Sequence, residues 1–352
     1  MIGSGKYQLS TGAAAYYDFT SSIVDKSKYP HITNPCGEIT LNSKGGYCVI
    51  GDIVPFFCNS LGEVKEVAKQ ATRFLIRTNL MDAIYADEVK RTNRIGVGQT
   101  GVHEFAWKFF GYGFYDLIDE SKSQMFWDFI GELRQTVEIE AASYSQKLGL
   151  NTPHTCTTMK PSGSISKLYA LTEGAHLAAR KFYLRWVQFQ NNDPLLEQYR
   201  EEGYPVKELT TYPNISIVGF PTRPLIASLG MKDKLITAQE ASPEDQYKWL
   251  MLLEKYWLGE GNNQISYTLK ISTEKYTLEE FRETFKKYQS KVRCCSVLPL
   301  ASNTELKTLY EYLPEEDVTE EYFMEIQNRI RKNNDVGFSM SELMCDGGAC
   351  PL

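Results

Sequence analysis

The sequence predicts an α/β fold in which parallel strands alternate with helices. Three observations carry that reading. Residues 211–219 (TYPNISIVG), 264–271 (QISYTLKI) and 292–298 are short runs rich in β-branched and apolar side chains, suited to strands. Longer segments between and before them carry apolar residues at helical spacing. With 352 residues, 42% of them hydrophobic, the chain can bury the core of one large domain or two ordinary ones. Strands separated by helices must run parallel, because the helix returns the chain to the starting edge of the sheet.

Taken in order, residues 1–33 form a polar lead-in rich in Tyr and Ser, with little periodicity. Residues 34–62 are loop-rich and carry Cys36, Cys48 and Cys58. From 63 to about 94 the pattern changes: Val64, Val67, Ala68, Ala71, Phe74 and Leu75 recur on one helical face, which predicts one long amphipathic helix. Gly96, Gly98 and Gly101 then interrupt the pattern, as a turn or a site of close packing. A second helical region covers 117–148. The Thr-rich stretch 151–160 suits a strand, broken by Pro161 and Gly163, with a helix starting near Ser164. Helices are expected at 243–258 and 277–288. The tail from Lys332 is polar and ends in Cys345-Asp-Gly-Gly-Ala-Cys350. The sequence contains no internal repeat and no low-complexity tract.

Charge and composition exclude some functions. Charged residues make up 23% and the net charge is −6, so the chain lacks the cationic field of a general nucleic-acid binder. A local basic pocket for one nucleotide remains compatible with that balance. No stretch is long and apolar enough to cross a bilayer, and Met1 to Ser10 lacks a signal pattern, so a cytoplasmic location is expected. Eight cysteines in that setting point to catalytic, redox or metal chemistry before structural disulfides. Their spacing is irregular and does not form zinc-ribbon pairs.

The densest chemical signal is Asn34-Pro35-Cys36-Gly37-Glu38, a thiol two residues from a carboxylate inside a Pro/Gly loop. A turn with an incidental cysteine is the plain alternative. Lys160-Pro161-Ser162-Gly163-Ser164-Ile165-Ser166 joins a strand to a helix start, where free backbone N–H groups and hydroxyls suit a polyphosphate. A Ser-capped turn is the plain alternative there. The segment lacks the GxxxxGK[ST] nucleotide-binding pattern. Cys345 and Cys350 flank two glycines at the extreme terminus, where a mobile dithiol can reach a site and return for reduction.

Together these segments resemble the class II, adenosylcobalamin-dependent ribonucleotide reductases. NPCGE is similar to that family's finger-loop motif. Tyr47-Cys48-Val49-Ile50-Gly51 follows at the position of its second active-site cysteine. Lys160 to Ser166 looks like its substrate-phosphate loop. Glu173-Gly174-Ala175-His176, Tyr183-Leu184-Arg185, Pro314-Glu315-Glu316 and Glu320-Glu321-Tyr322 resemble further family segments, and Cys345 with Cys350 its redox-relay pair. The matches run in family order from residue 34 to the end.

The resemblance implies a fold and a set of roles. The fold is the second half of the family's ten-stranded α/β barrel with its central finger loop. The barrel part is expected at 34–331, with the finger loop at 34–48, and a flexible redox-active tail at 332–352. Cys36 would carry the thiyl radical that removes the 3′ hydrogen of the substrate ribose. Glu38 would be the general base on the 3′ hydroxyl, and Asn34 would orient the ribose hydroxyls or simply cap the turn. Cys48 would supply one of two reducing equivalents. Ser162, Gly163, Ser164, Ile165 and Ser166 would bind substrate phosphate. Cys345 and Cys350 would relay electrons from reduced thioredoxin or a similar dithiol. Cys58, Cys156, Cys294 and Cys295 match no catalytic position and are expected in the core. His176 receives no role.

Two departures from the family pattern shape the expectation. The first half-barrel, which carries the other reducing cysteine, is expected on a separate polypeptide. Class I large subunits need an adjacent tyrosine pair near the active site. Here Tyr310 and Tyr312 are separated by Glu311, and Tyr16-Tyr17 precedes the finger loop. That favours class II, adenosylcobalamin and a triphosphate substrate. A class I fragment, a non-catalytic binding fragment, and a thiol hydrolase pairing Cys36 with His31 or His176 are the alternatives.

Overall fold

The computed structural model describes residues 7–10, 31–42, 45–81, 84–300 and 311–333. In chain order the strands are β1 Tyr7–Ser10, β2 His31–Thr33, β3 Thr40–Asn42, β4 Val49–Ile53, β5 Ile95–Gln99, β6 Tyr183–Gln190, β7 Val206–Glu208, β8 Ile215–Thr222, β9 Thr268–Ser272, β10 Cys294–Leu300 and β11 Glu315–Asp317. The main helices are α1 Leu61–Thr78, α2 Ala86–Thr92, α3 Val102–Phe110, α4 Gln124–Lys147, α5 Leu195–Glu202, α6 Pro243–Leu253, α7 Leu278–Tyr288 and α8 Glu320–Asn333. They divide between two compact units, one of residues 1–179 and 224–301, the other of 180–223 and 302–352.

The first unit is built on parallel strands, as the alternation predicts. β4 pairs in parallel with β5, Val49 opposite Ile95 through Ile53 opposite Gln99. The Thr-rich segment 155–159 lies along the far edge of β5. Ile95 N donates to Thr155 O at 3.0 Å, Val97 N to Cys156 O at 2.8 Å and Thr158 N to Val97 O at 3.0 Å. That segment in turn meets the run into β9 by a parallel bridge between Met159 and Ile265. β9 then pairs in parallel with β10. The sheet therefore reads β4, β5, 155–159, β9, β10 in order, with β1 antiparallel along the outer side of β10.

Cys294 and Cys295 in β10 are both buried, on opposite faces, so both sides of this sheet are covered. The core beneath it is aromatic. Trp127, Trp249 and Trp257 are fully buried, and each indole N–H finds a carbonyl: Leu117 at 3.0 Å, Ala175 at 2.8 Å and Thr158 at 2.8 Å. An indole buried without such a partner would lose much of what its burial contributes.

Helix boundaries show where local pattern yields to tertiary contacts. α1 starts as the sequence suggests: Ser60 accepts from Glu63 N at 3.1 Å, and Val64, Ala68, Thr72, Leu75 and Ile76 turn inward. The single helix expected over 63–94 stops at Asn79 instead. The buried Asn79 side chain donates to Asn93 Oδ1 at 2.9 Å and Arg94 O at 3.1 Å, so the chain is pinned there and restarts as α2. The helix expected over 117–148 begins at Gln124. The one expected over 243–258 is α-helical to Leu253 and widens to a π-helix over Glu254–Leu258. Of the two roles expected for Gly96 and Gly98, a turn or close packing, the structure shows close packing, inside the buried strand β5.

The second unit is an antiparallel sheet ordered β11-β6-β8-β7, with α5 and α8 beside it. The strand expected over 211–219 starts only at Ile215, because Tyr212 and Asn214 (φ 68°) turn the chain back from β7, and it pairs antiparallel on both sides, against the parallel arrangement expected of it. Leu184, Trp186, Leu209, Ile217 and Ile326 form its core. Glu315 and Glu316 of β11 pair with Arg185 and Leu184 of β6. Two motif segments about 130 residues apart in the chain thus share one sheet edge. Arg180 binds both Glu315 (3.1 Å) and Asp317 (2.9 Å). No helix among the described residues is long and apolar enough to cross a membrane.

Candidate active site

β2 and β3 form an antiparallel hairpin, Thr33 opposite Thr40, whose loop is the NPCGE motif. Asn34 closes the loop from both sides. Its N–H donates to Ile39 O at 3.1 Å, and its Oδ1 accepts from Ile39 N at 3.1 Å. Gly37 N donates to Asn34 O at 3.0 Å. Asn34 therefore makes the turn-capping bond that was the plain reading of this side chain. Cys36 sits exposed at the tip and is not in a disulfide.

The returning arm of the hairpin is fastened to the parallel sheet through its backbone. Glu38 O accepts from Gln264 N at 2.8 Å and from Thr158 Oγ1 at 3.2 Å. Gln264 Nε2 also donates to Thr40 Oγ1. Glu38 is 3% exposed, and its Oε2 has no hydrogen-bond partner among the described residues. A buried carboxylate oxygen left in that state is costly in a purely structural residue, and is the state a proton acceptor needs.

Cys48 immediately precedes β4. Asn263 Nδ2 donates to its Sγ at 3.7 Å and to Ile95 O at 3.0 Å. Burial pushes the Cys48 thiol up to about 12. The nearby Arg94 and hydrogen bonds from Thr155 and Asn263 pull the other way, and Glu38 adds to the rise. The group is held as a thiol, which can give up a hydrogen atom, and not as a thiolate.

The loop expected to bind phosphate follows segment 155–159. Ser162 and Ser166 are buried, and Gly163, Ser164 and Ile165 are exposed. Ser166 N and Oγ both donate to Ser162 O, at 3.0 and 2.7 Å. The single helical turn Ile165–Leu168 follows. The N–H groups of the first residues of such a turn have no carbonyl of their own to bond. The two buried serines thus shape the loop, and Gly163, Ser164 and Ile165 lie on its exposed side.

Sequence reasoning missed Asp52, whose side chain is 1% exposed in the middle of β4. Its Oδ2 accepts from Ser162 Oγ and lies 3.6 Å from Lys160 Nζ. Burial raises its pKa, opposed by Ser162 and Lys160. A lone acid inside the apolar run Val49-Ile50-Gly51-Asp52-Ile53 was the available signal. Arg94, Asn263 and Gln264, which fasten Cys48 and the hairpin, carried no local signal.

His176 is structural. Its Nε2 accepts from Thr268 N at 2.9 Å, so Nδ1 carries the proton and donates to Glu173 O at 2.9 Å. Both nitrogens are engaged, which removes it as a base for Cys36. Cys58 and Cys156 are buried, as expected for core residues, like Cys294 and Cys295. Cys345 and Cys350 lie outside the described residues.

No family model matches the chain. An adenosylcobalamin-dependent ribonucleoside-triphosphate reductase of Lactobacillus gasseri is 28% identical over 350 residues, covering 91% of this chain. The chain is homologous to the class II ribonucleotide reductases. The Lactobacillus acidophilus enzyme of the same name is 26% identical over 91% of this chain. The chain spans 45% of the length of each of these relatives. A crystal structure of a B12-dependent (class II) ribonucleotide reductase superposes with a TM-score of 0.70 at 22% identity, covering 88% of this chain and 45% of that one. A class Id ribonucleotide reductase alpha subunit of Actinobacillus ureae superposes with a TM-score of 0.51 at 13% identity, over 77% and 54%. The fold is that of part of the reductase α/β barrel.

Proposed function

We propose that this chain forms the finger-loop half of a cytoplasmic class II ribonucleotide reductase acting on ribonucleoside triphosphates. The observation that carries the reading is the hairpin. It exposes Cys36 at its tip, buries Glu38 with a free carboxylate oxygen, and is fastened to the sheet whose first strand follows Cys48.

In this reading, a Cys36 thiyl takes the 3′ hydrogen of the ribose while Glu38 accepts the 3′ hydroxyl proton. The 2′ hydroxyl leaves with a proton as water. Two thiols, Cys48 and a cysteine on the first half of the barrel, close into a disulfide; of their two hydrogens one leaves in that water and the other ends on C2′, while Glu38 returns its proton to the 3′ oxygen. The 3′ hydrogen returns from Cys36. Cys345 and Cys350 then exchange with that disulfide and are reduced by thioredoxin or a similar dithiol. The phosphates rest on Gly163, Ser164 and Ile165. The exposed Cys36 suits a radical source that must reach a thiol from outside the loop, and adenosylcobalamin, when bound, supplies the oxidising equivalent there.

Rapid-freeze EPR tests this. The chain, together with the first half of the barrel, is mixed with adenosylcobalamin, a ribonucleoside triphosphate and a dithiol. The expected result is a radical signal that disappears in Cys36→Ser. No signal, with folding and nucleotide binding verified, would refute the radical chemistry.

A further inference from the structure

The phosphate loop leaves ordinary backbone geometry at Ser162, which takes a left-handed φ of 58°. For a residue with a Cβ that conformation is strained and persists only when its surroundings hold it. Ser162 is 6% exposed, so water does not hold it. Its hydroxyl donates to Asp52 Oδ2, an oxygen that also faces Lys160 Nζ at 3.6 Å. The other oxygen, Oδ1, has no hydrogen-bond partner among the described residues. It is pressed against Gly98, where a Cβ would lie 2.2 Å away. An ionisable group inside a parallel strand is expensive to keep, and neither the radical step nor the reducing pair uses it.

We propose that Asp52 is the positioning residue of the phosphate loop: it holds Ser162 in the left-handed conformation, and so presents the N–H groups of Gly163, Ser164 and Ile165 to a polyphosphate. Lys160 offsets the negative charge that would otherwise repel such a ligand from beneath. The Ser162 hydroxyl is then a tether and not a ligand to phosphate. The identity of the ligand rests on the function proposed above, whereas the tether does not.

Two readouts on the full-length chain separate those claims. The first is amide hydrogen exchange at residues 163–166 without any ligand. Asp52→Ala and Ser162→Ala should each speed exchange about tenfold, the equivalent of one charge-assisted hydrogen bond. Ser162→Gly adopts positive φ without strain, and adding Asp52→Ala to it should change exchange no further. If Asp52→Ala fails to fold, Asp52→Asn keeps the volume, removes the charge and should shift exchange in the same direction.

The second readout is calorimetric binding of inorganic tripolyphosphate and cytidine triphosphate. Ser162→Ala should weaken both about tenfold, and Ser162→Gly should restore most of that loss. Unchanged exchange in the Asp52 variants overturns the tether. Equal loss of binding in Ser162→Gly and Ser162→Ala also overturns it, because the hydroxyl would then be touching the ligand. If exchange responds as expected but the unmodified chain binds neither compound, the tether stands and the phosphate reading falls.

Discussion

Gly98→Ala should destabilise the first unit by about 3 kcal/mol, several times the effect of an ordinary Gly→Ala change in a strand. The added Cβ would lie 2.2 Å from Asp52 Oδ1 and 3.4 Å from Asp52 Cγ. Asp52 is directly opposite Gly98 in the β4–β5 register and its side chain has no free space to enter. Overpacking a close-packed interior costs about 1–3 kcal/mol. Driving the carboxylate off Ser162 loses a charge-assisted hydrogen bond of about 1.5–3 kcal/mol. The stiffer unfolded chain returns about 0.4–1 kcal/mol.

Urea unfolding followed by tryptophan fluorescence is the assay, since Trp127, Trp249 and Trp257 all sit in this unit's core. The decisive comparison is a double-mutant cycle. In an Asp52→Ala background the clashing oxygen is gone, and Gly98→Ala should cost about 1 kcal/mol or less. A cost that is small from the start, or the same in both backgrounds, would refute the claim that Gly98 is a glycine because Asp52 stands against it.

Two further outcomes follow from buried titratable groups. Glu254 is held by Arg293 N at 2.9 Å, and burial raises its pKa from 4.5 to about 7. The folded chain then binds that proton more tightly than the unfolded chain. Its contribution is full below about pH 4.5 and is lost as pH rises to about 7, an amplitude of about 3 kcal/mol. Glu254→Gln should remove that slope from a stability–pH curve, and a curve identical to the unmodified chain's would contradict the raised carboxyl. Cys48 is partly exposed but held as a thiol by its surroundings, and it should react with iodoacetamide at pH 8 more slowly in the folded chain than once urea is added. Exposed Cys36 should label about 100-fold faster in the same peptide map, and comparable rates would contradict the assigned environments.

Much of this site was legible because its chemistry is local. Asn34, Cys36 and Glu38 lie within five residues, and the turn they form is closed by Asn34 itself. The parallel sheet was legible as alternation, down to the Thr-rich segment 155–159, although that segment pairs as bridges and not as a full strand. The failures share one cause. Asn79 ends α1 because Asn93 and Arg94, 14 and 15 residues on, capture its side chain. For Gly96 and Gly98 a turn and close packing both stayed open, because nothing local chooses between them. Inside β5 they are demanded by Ile50, Thr158 and Asp52 packed against them. In each case the deciding partner is far away in sequence, and no pattern within a helical or strand period contains it.

The same distinction explains how the hairpin can be both rigid and reactive. Its attachment to the sheet uses the carbonyl of Glu38 and the hydroxyl of Thr40, bonded by Gln264 and Thr158. None of those bonds involves the Glu38 carboxylate, whose Oε2 remains without a partner among the described residues. Placement and chemistry therefore reside in different atoms of one residue. Replacing the carboxylate leaves every fastening bond in place, so a rate lost in Glu38→Gln would report on proton transfer and not on a displaced loop. At Asp52 the two cannot be separated in this way, because the carboxylate that holds Ser162 is itself the fastening.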